Sequence, residues 1–119
     1  MSEAAYVEEA AGWAEKLIRK TRLHCFAGDL DEAMTEASRR FRISYRTFWK
    51  LRYRKPKTIS VGVYMRIKEA YENECLRQEA KLRDELATFE KIMGPAAASD
   101  PAYRAAKAAL VAMERAETE

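Results

Sequence analysis

The sequence predicts an all-α fold, and three observations carry that expectation. Glycine and proline are scarce, at four and three residues, so few positions can break a helix. β-Branched residues are thin outside one stretch, "TISVGVY", Thr58–Tyr64, and strands favour such residues. Elsewhere apolar side chains recur at three- and four-residue steps, the period of one helix face.

The first helix is expected from about Glu3 to Arg22. Val7, Ala11, Ala14, Leu17 and Ile18 form its apolar stripe, with Trp13 beside it. "HCFAG" breaks the pattern at Gly28. Asp29 suits the cap of a second helix, with Glu32 three residues on as an Asp form of the capping box. That helix runs to about Phe41 and turns Leu30, Ala33, Ala37 and Phe41 inward. Ser44 is the next cap, opening the short helix "YRTFWKLRY". Pro56 ends it, because proline lacks an N–H and disfavours helical geometry at the residue before it.

"TISVGVY" is the ambiguous stretch. It could form a short strand, but no second strand-like run is available to pair with it, and a lone strand is not stable. Ser60 is therefore read as a further cap, opening a long helix to about Met93. Tyr64, Ile67, Tyr71, Cys75, Leu82, Leu86, Phe89 and Met93 lie near one face of it. At ~1.5 Å per residue such a helix is roughly 50 Å long, so its far end must pack on something beyond the first domain. Gly94 and Pro95 stop it, and Asp100 with Pro101 start a last helix. Tyr103, Ala106, Leu110 and Met113 give that helix a narrow, Ala-rich stripe. The expected organisation is a helical domain over residues 1–75 and a helical extension over 76–119.

Of the 119 residues, 48% are hydrophobic and 34% charged, which suits a soluble globular chain and is too apolar for a disordered one. No run approaches the roughly 20 apolar residues that span a bilayer, so no membrane partner is expected. The start, "MSEAAYVEEA", lacks a basic-then-apolar signal pattern, so no export is expected. Cys25 and Cys75 make no disulfide framework, and a reducing cytoplasm, associated with the nucleoid, is the expected location.

The formal net charge of +3 hides a segregation. "RRFRISYRTFWKLRYRKPK", Arg39–Lys57, holds nine Lys and Arg, no Asp or Glu, and five aromatic rings. The remainder carries the other thirteen basic residues against all nineteen acidic ones. Phe41, Ile43, Phe48 and Leu51 are interleaved at core spacing, so this basic run belongs to a folded element. Like charges repel when unbound, and a nucleic-acid partner gives a reason to gather them.

The two short helices together, "MTEASRRFRISYRTFWKLRY", carry the pattern of a helix-turn-helix. Ser38 is the small residue where two backbones approach, and Ala37, Phe41, Ile43, Phe48 and Leu51 anchor the crossing. "ISYRTFWKL" resembles the recognition-helix segment of bacterial and phage regulators of the Lac repressor type, and the resemblance covers Met34 to Tyr53. In that family the first residues of the second helix contact base edges. Carried over, these are Ser44, Tyr45 and Arg46, with Trp49, Lys50 and Tyr53 on the same exposed face. One departure is plain: the family commonly has Gly in the turn, where this chain has Arg42, and a non-Gly residue in a left-handed conformation costs about 1 kcal/mol.

Arginine can donate two hydrogen bonds to guanine in the major groove, which suits Arg46, with Lys50 one turn on. Arg39, Arg40 and Arg42 flank the turn, and Arg52, Arg54, Lys55 and Lys57 trail the helix, positions that reach the sugar-phosphate backbone. Trp49 has two readings, a ring at the nucleic-acid surface or one packed on the long helix. Tyr45, Trp49 and Tyr53 could also stack on unpaired bases.

His24, Cys25 and Cys75 are too few and too scattered for a metal site. No Gly-rich phosphate loop or Ser-His-Asp arrangement stands out, so neither catalysis nor a cofactor is expected. Glu72, Glu74 and Glu79 read as a charged solvent face. Leu82, Leu86, Phe89 and Met93 of the long helix, with Leu110 and Met113 of the last, are candidate dimerisation residues, the alternative being an intrachain hairpin. Helix-turn-helix proteins usually bind two half-sites as dimers.

The expectation is a homodimeric, sequence-specific double-stranded DNA-binding protein, a small transcriptional regulator without a small-molecule effector. Two rivals stand beside it: an architectural or recombination-directing DNA-binding factor, and a helical adaptor or anti-activator that grips an acidic protein surface.

Overall fold

Every helix start expected above falls where a short polar side chain can close the first turn. The structure, a computed structural model, describes residues 2–23 and 28–118; His24 and Cys25 lie outside the described residues. Among the described residues five helices follow one another: α1 (Glu3–Arg22), α2 (Leu30–Phe41), α3 (Tyr45–Tyr53), α4 (Val61–Met93) and α5 (Pro101–Thr118), with a 3₁₀ segment, Gly94–Ser99, before the last. The fold is all-α, with no strand among the described residues.

The caps are local and explain the boundaries. Ser2 Oγ accepts from the Ala5 amide at 3.3 Å, and Ser44 Oγ from the Thr47 amide at 3.1 Å. The ambiguous "TISVGVY" resolves the same way: Ser60 Oγ accepts from the Val63 amide at 3.2 Å, and its carbonyl from the Tyr64 amide at 2.9 Å. Asp100 Oδ1 accepts from the Tyr103 amide at 3.0 Å. Asp29 differs from the capping-box expectation, since its carboxylate takes the Asp31 amide at 3.2 Å and not that of Glu32. Gly94, with φ 58°, turns the chain out of α4, a conformation that glycine adopts without a Cβ clash.

The chain divides into two compact units, residues 1–74 and 75–119, and α4 contributes to both. In the first unit, α1, α2, α3 and the start of α4 enclose Ala10, Leu17, Ile18, Met34, Phe48 and Ile67, each at most 2% exposed. The α1 stripe centres on Ala10, fully buried, and not on Ala11, which packs at the edge of the core. Thr21 is buried too, its hydroxyl donating back to the Leu17 carbonyl at 2.8 Å. Trp13 packs across to α4, with ring centroids 5.5 Å from Tyr64 and 6.3 Å from Tyr71.

In the second unit the far half of α4 and α5 form an intrachain hairpin around Leu86, Ala97, Tyr103 and Leu110. Leu82, Phe89 and Ala106 pack against them, and the Phe89 and Tyr103 rings stack at 5.6 Å. Of the six candidate dimerisation residues, Leu82, Leu86, Phe89 and Leu110 are therefore engaged inside the chain, while Met93 and Met113 stay 41% and 37% exposed.

The reading of Glu74 and Glu79 as a solvent face is corrected: each is only 5% exposed. Glu79 pairs with Arg83 at 2.7 Å, and Arg83 also reaches Glu114 at 2.9 Å. Charge periodicity along one helix does not show which charged side chain another element covers. No described helix is long and apolar enough to cross a membrane.

Candidate nucleic-acid interface

Three residues, Arg42 to Ser44, join α2 to α3. Arg42 takes φ 57° and ψ 40°, the left-handed geometry that the resemblance implies for that position. Ile43 next to it is buried and pins the turn to the core. The Arg42 carbonyl accepts from Arg66 of α4 at 3.2 Å, a second anchor.

Phe48 and Leu51 form the buried side of α3. On a helix the side chains opposite them recur at three and four residues, which groups Arg46, Trp49, Lys50 and Tyr53. All four are exposed. Trp49, 38% exposed, lies against Tyr53, 53% exposed, at a centroid distance of 5.4 Å. Trp49 is thus a surface ring, and Trp13 is the tryptophan that packs on the long helix.

The other two residues carried over as base contacts have local duties. Ser44 caps α3, its hydroxyl also 2.8 Å from that of Thr47. Tyr45 donates its hydroxyl to the Asp31 carboxylate on the first turn of α2. That bond holds the Tyr45 phenol above its ordinary pKa range and ties the start of α3 to the start of α2.

The nine basic residues of Arg39–Lys57 separate into two groups. Arg39 pairs with Glu36 at 3.3 Å, Arg40 with Glu74 at 3.3 Å, and Lys55 with Glu8 at 3.1 Å, while Arg52 pairs with Glu15. Arg42, Arg46, Lys50, Arg54 and Lys57 are exposed and make no ion pair among the described residues. Of the candidate phosphate contacts, then, Arg42, Arg54 and Lys57 are uncommitted. Arg40 departs furthest from that role, because it neutralises a buried carboxylate and joins α2 to α4.

The carboxylate partners Glu8, Glu15 and Glu74 are absent from the sequence reading of the site, and no local signal could supply them. Glu8 and Lys55 stand 47 residues apart, and only the fold brings them together. Among the described residues no cluster of His, Cys, Asp or Glu could hold a metal ion.

The arrangement offers a ridge of two cations and two rings along one short helix, with three further cations at its ends. It can donate hydrogen bonds and positive charge to an elongated anionic surface. No family model, curated protein or solved structure matches the chain, so the reading of the site stands on its residues.

Proposed function

We propose that this chain is a small transcriptional regulator that binds double-stranded DNA sequence-specifically, using α2 and α3 as a helix-turn-helix. The observation that carries the reading is the sorting of charge on α3. Arg46 and Lys50 stand on the outward ridge without a carboxylate partner among the described residues, whereas the cations that face other helices are paired.

A major groove about 12 Å wide admits one helix, and α3 has its outward face clear for that. Arg46 can make a paired hydrogen bond to guanine, and Lys50, one turn further along, an acceptor on the next bases. The Trp49 and Tyr53 rings supply apolar surface for thymine methyl groups. Arg42 at one end of α3 and Arg54 and Lys57 at the other reach phosphates and fix the register. Binding as a homodimer would align two such helices on a palindromic site, with the still-exposed Met93 and Met113 available to the contact.

Selection of bound sequences from a random duplex pool, at two salt concentrations, tests the proposal. Recovery of an inverted repeat with half-sites about one turn apart is the expected result. Salt-sensitive binding without a consensus would overturn sequence-specific regulation and leave an electrostatic surface for RNA or an acidic protein.

A further inference from the structure

Arg52 and Lys55 sit on the trailing end of the basic stretch, interleaved with Arg54 and Lys57, yet α1 claims only the first two. Glu15 pairs with Arg52, and Glu8 pairs with Lys55 at 3.1 Å through both its oxygens, at 3.2 and 3.1 Å. Glu8 and Glu15 are seven residues apart, two helical turns, so they project from the same side of α1. Between them lie Ala11 and Gly12, and nothing stands within 4 Å of where a Gly12 Cβ would be. The result is an open groove of about 460 Å³ between α1 and the end of α3, bridged by the two ion pairs.

The Glu8–Lys55 pair does little for the fold, and Glu15–Arg52 is only half-buried. Glu8 is 65% exposed and Lys55 48%, and Glu15 is 38% exposed; exposed pairs contribute weakly to stability. Their effect falls instead on anything anionic that approaches. A phosphate arriving at Arg52 or Lys55 must displace a carboxylate and then remain beside its negative charge. A cation already neutralised by protein also releases fewer counterions when DNA binds.

We infer that Glu8 and Glu15 act as built-in phosphate mimics, withdrawing Arg52 and Lys55 from the DNA backbone and holding down sequence-independent affinity. This role rests on the duplex-binding reading above. Trimming two backbone contacts lowers the sequence-independent part of binding without touching Arg46 or Lys50.

The test compares the full chain with Glu8→Gln/Glu15→Gln on a mixed-sequence duplex over a salt series. Glu3→Gln/Glu32→Gln is the control: it removes the same charge from two exposed residues that make no ion pair among the described residues. Releasing two cations should steepen the slope of log K against log salt by about 1.8, since each neutralised phosphate contributes about 0.9. Non-specific affinity at low salt should rise, while the control keeps the parent slope. An unchanged slope in Glu8→Gln/Glu15→Gln, or an equal change in the control, would overturn the inference and leave duplex binding intact. Absence of duplex binding by the parent chain would instead overturn the functional reading, and this inference with it.

Discussion

The two units of this chain bury their apolar residues to different depths, and the difference follows from how many helices surround each core. In residues 1–74 several helices close on one centre, and Phe48, Leu17 and Ile67 are fully buried. In residues 75–119 the core is drawn from two helices and the short 3₁₀ segment, and Leu86, Tyr103 and Leu110 retain 8–9% exposure. A helix with one neighbour has only one covered side, however good its apolar stripe. The second unit accordingly surrounds its small core with polar contacts: Arg83 bridges Glu79 and Glu114, and the Tyr103 hydroxyl lies between Glu90 and Lys107. Those contacts hold Glu90 below the usual carboxylate range, through Tyr103 first and Lys107 second.

Core truncation should separate the units most sharply. Both tryptophans, Trp13 and Trp49, belong to the first unit, so tryptophan fluorescence reads that unit, whereas far-ultraviolet circular dichroism reads both. Phe48→Ala should cost about 3–5 kcal/mol and move the fluorescence transition in urea to much lower denaturant. Leu110→Ala, at a site already partly open, should cost about 2 kcal/mol and move the dichroism transition alone. A matching fluorescence shift in Leu110→Ala would show that the units unfold together.

The two buried carboxylates refine the same contrast. Arg40, with a side chain 30% exposed, serves Glu74, and Arg83, 54% exposed, serves Glu79. Arg40→Ala should destabilise by about 1.5–3 kcal/mol, the range for hydrogen bonds to a charged group. Arg83→Ala should cost less than that, because water screens its pairs. Urea midpoints for both variants check the order, and the reverse order would show that the second unit is the more tightly built.

These contrasts also mark what was legible in the sequence. The helices were legible because their caps act within three or four residues: Ser44, Ser60 and Asp100 each bond the amide three positions on. Pairings at long range were not. Glu74 and Glu79 carry the same charge pattern as solvated neighbours such as Glu72, and their burial depends on how the surrounding chain folds over them. For the same reason the cations of Arg39–Lys57 were legible as a group, whereas their division into paired and uncommitted members was not. Leu82, Leu86, Phe89 and Leu110 show the remaining ambiguity, since an apolar stripe looks alike whether its own chain or another covers it.

The turn before α3 offers a smaller effect of opposite sign. Arg42 holds a left-handed conformation, φ 57°, in which a Cβ costs about 1 kcal/mol. Arg42→Gly should therefore stabilise the first unit by about 1 kcal/mol, raising its fluorescence melting temperature, while Arg42→Ala should not. If both variants lowered it, the Arg42 side chain would be contributing more than its strain costs.

The subtlest difference between the units is their response to alkali. Tyr64 donates its hydroxyl to Glu9 at 2.7 Å, and the neighbouring carboxylate pushes the phenol up to about 12 from an ordinary value of 10.0. The folded state thus holds this proton more tightly than the unfolded state does. Its contribution to stability is present in full below pH 10 and fades as the pH rises through about 12. Tyr64→Phe lacks both the bond and the titration. Between about pH 9 and about pH 11, the parent chain should lose more of its fluorescence-detected urea midpoint than Tyr64→Phe does. Because Tyr64 packs against Tyr6 and Trp13 in the first unit, the excess loss belongs there. An equal loss in both proteins would place the alkaline sensitivity on other groups.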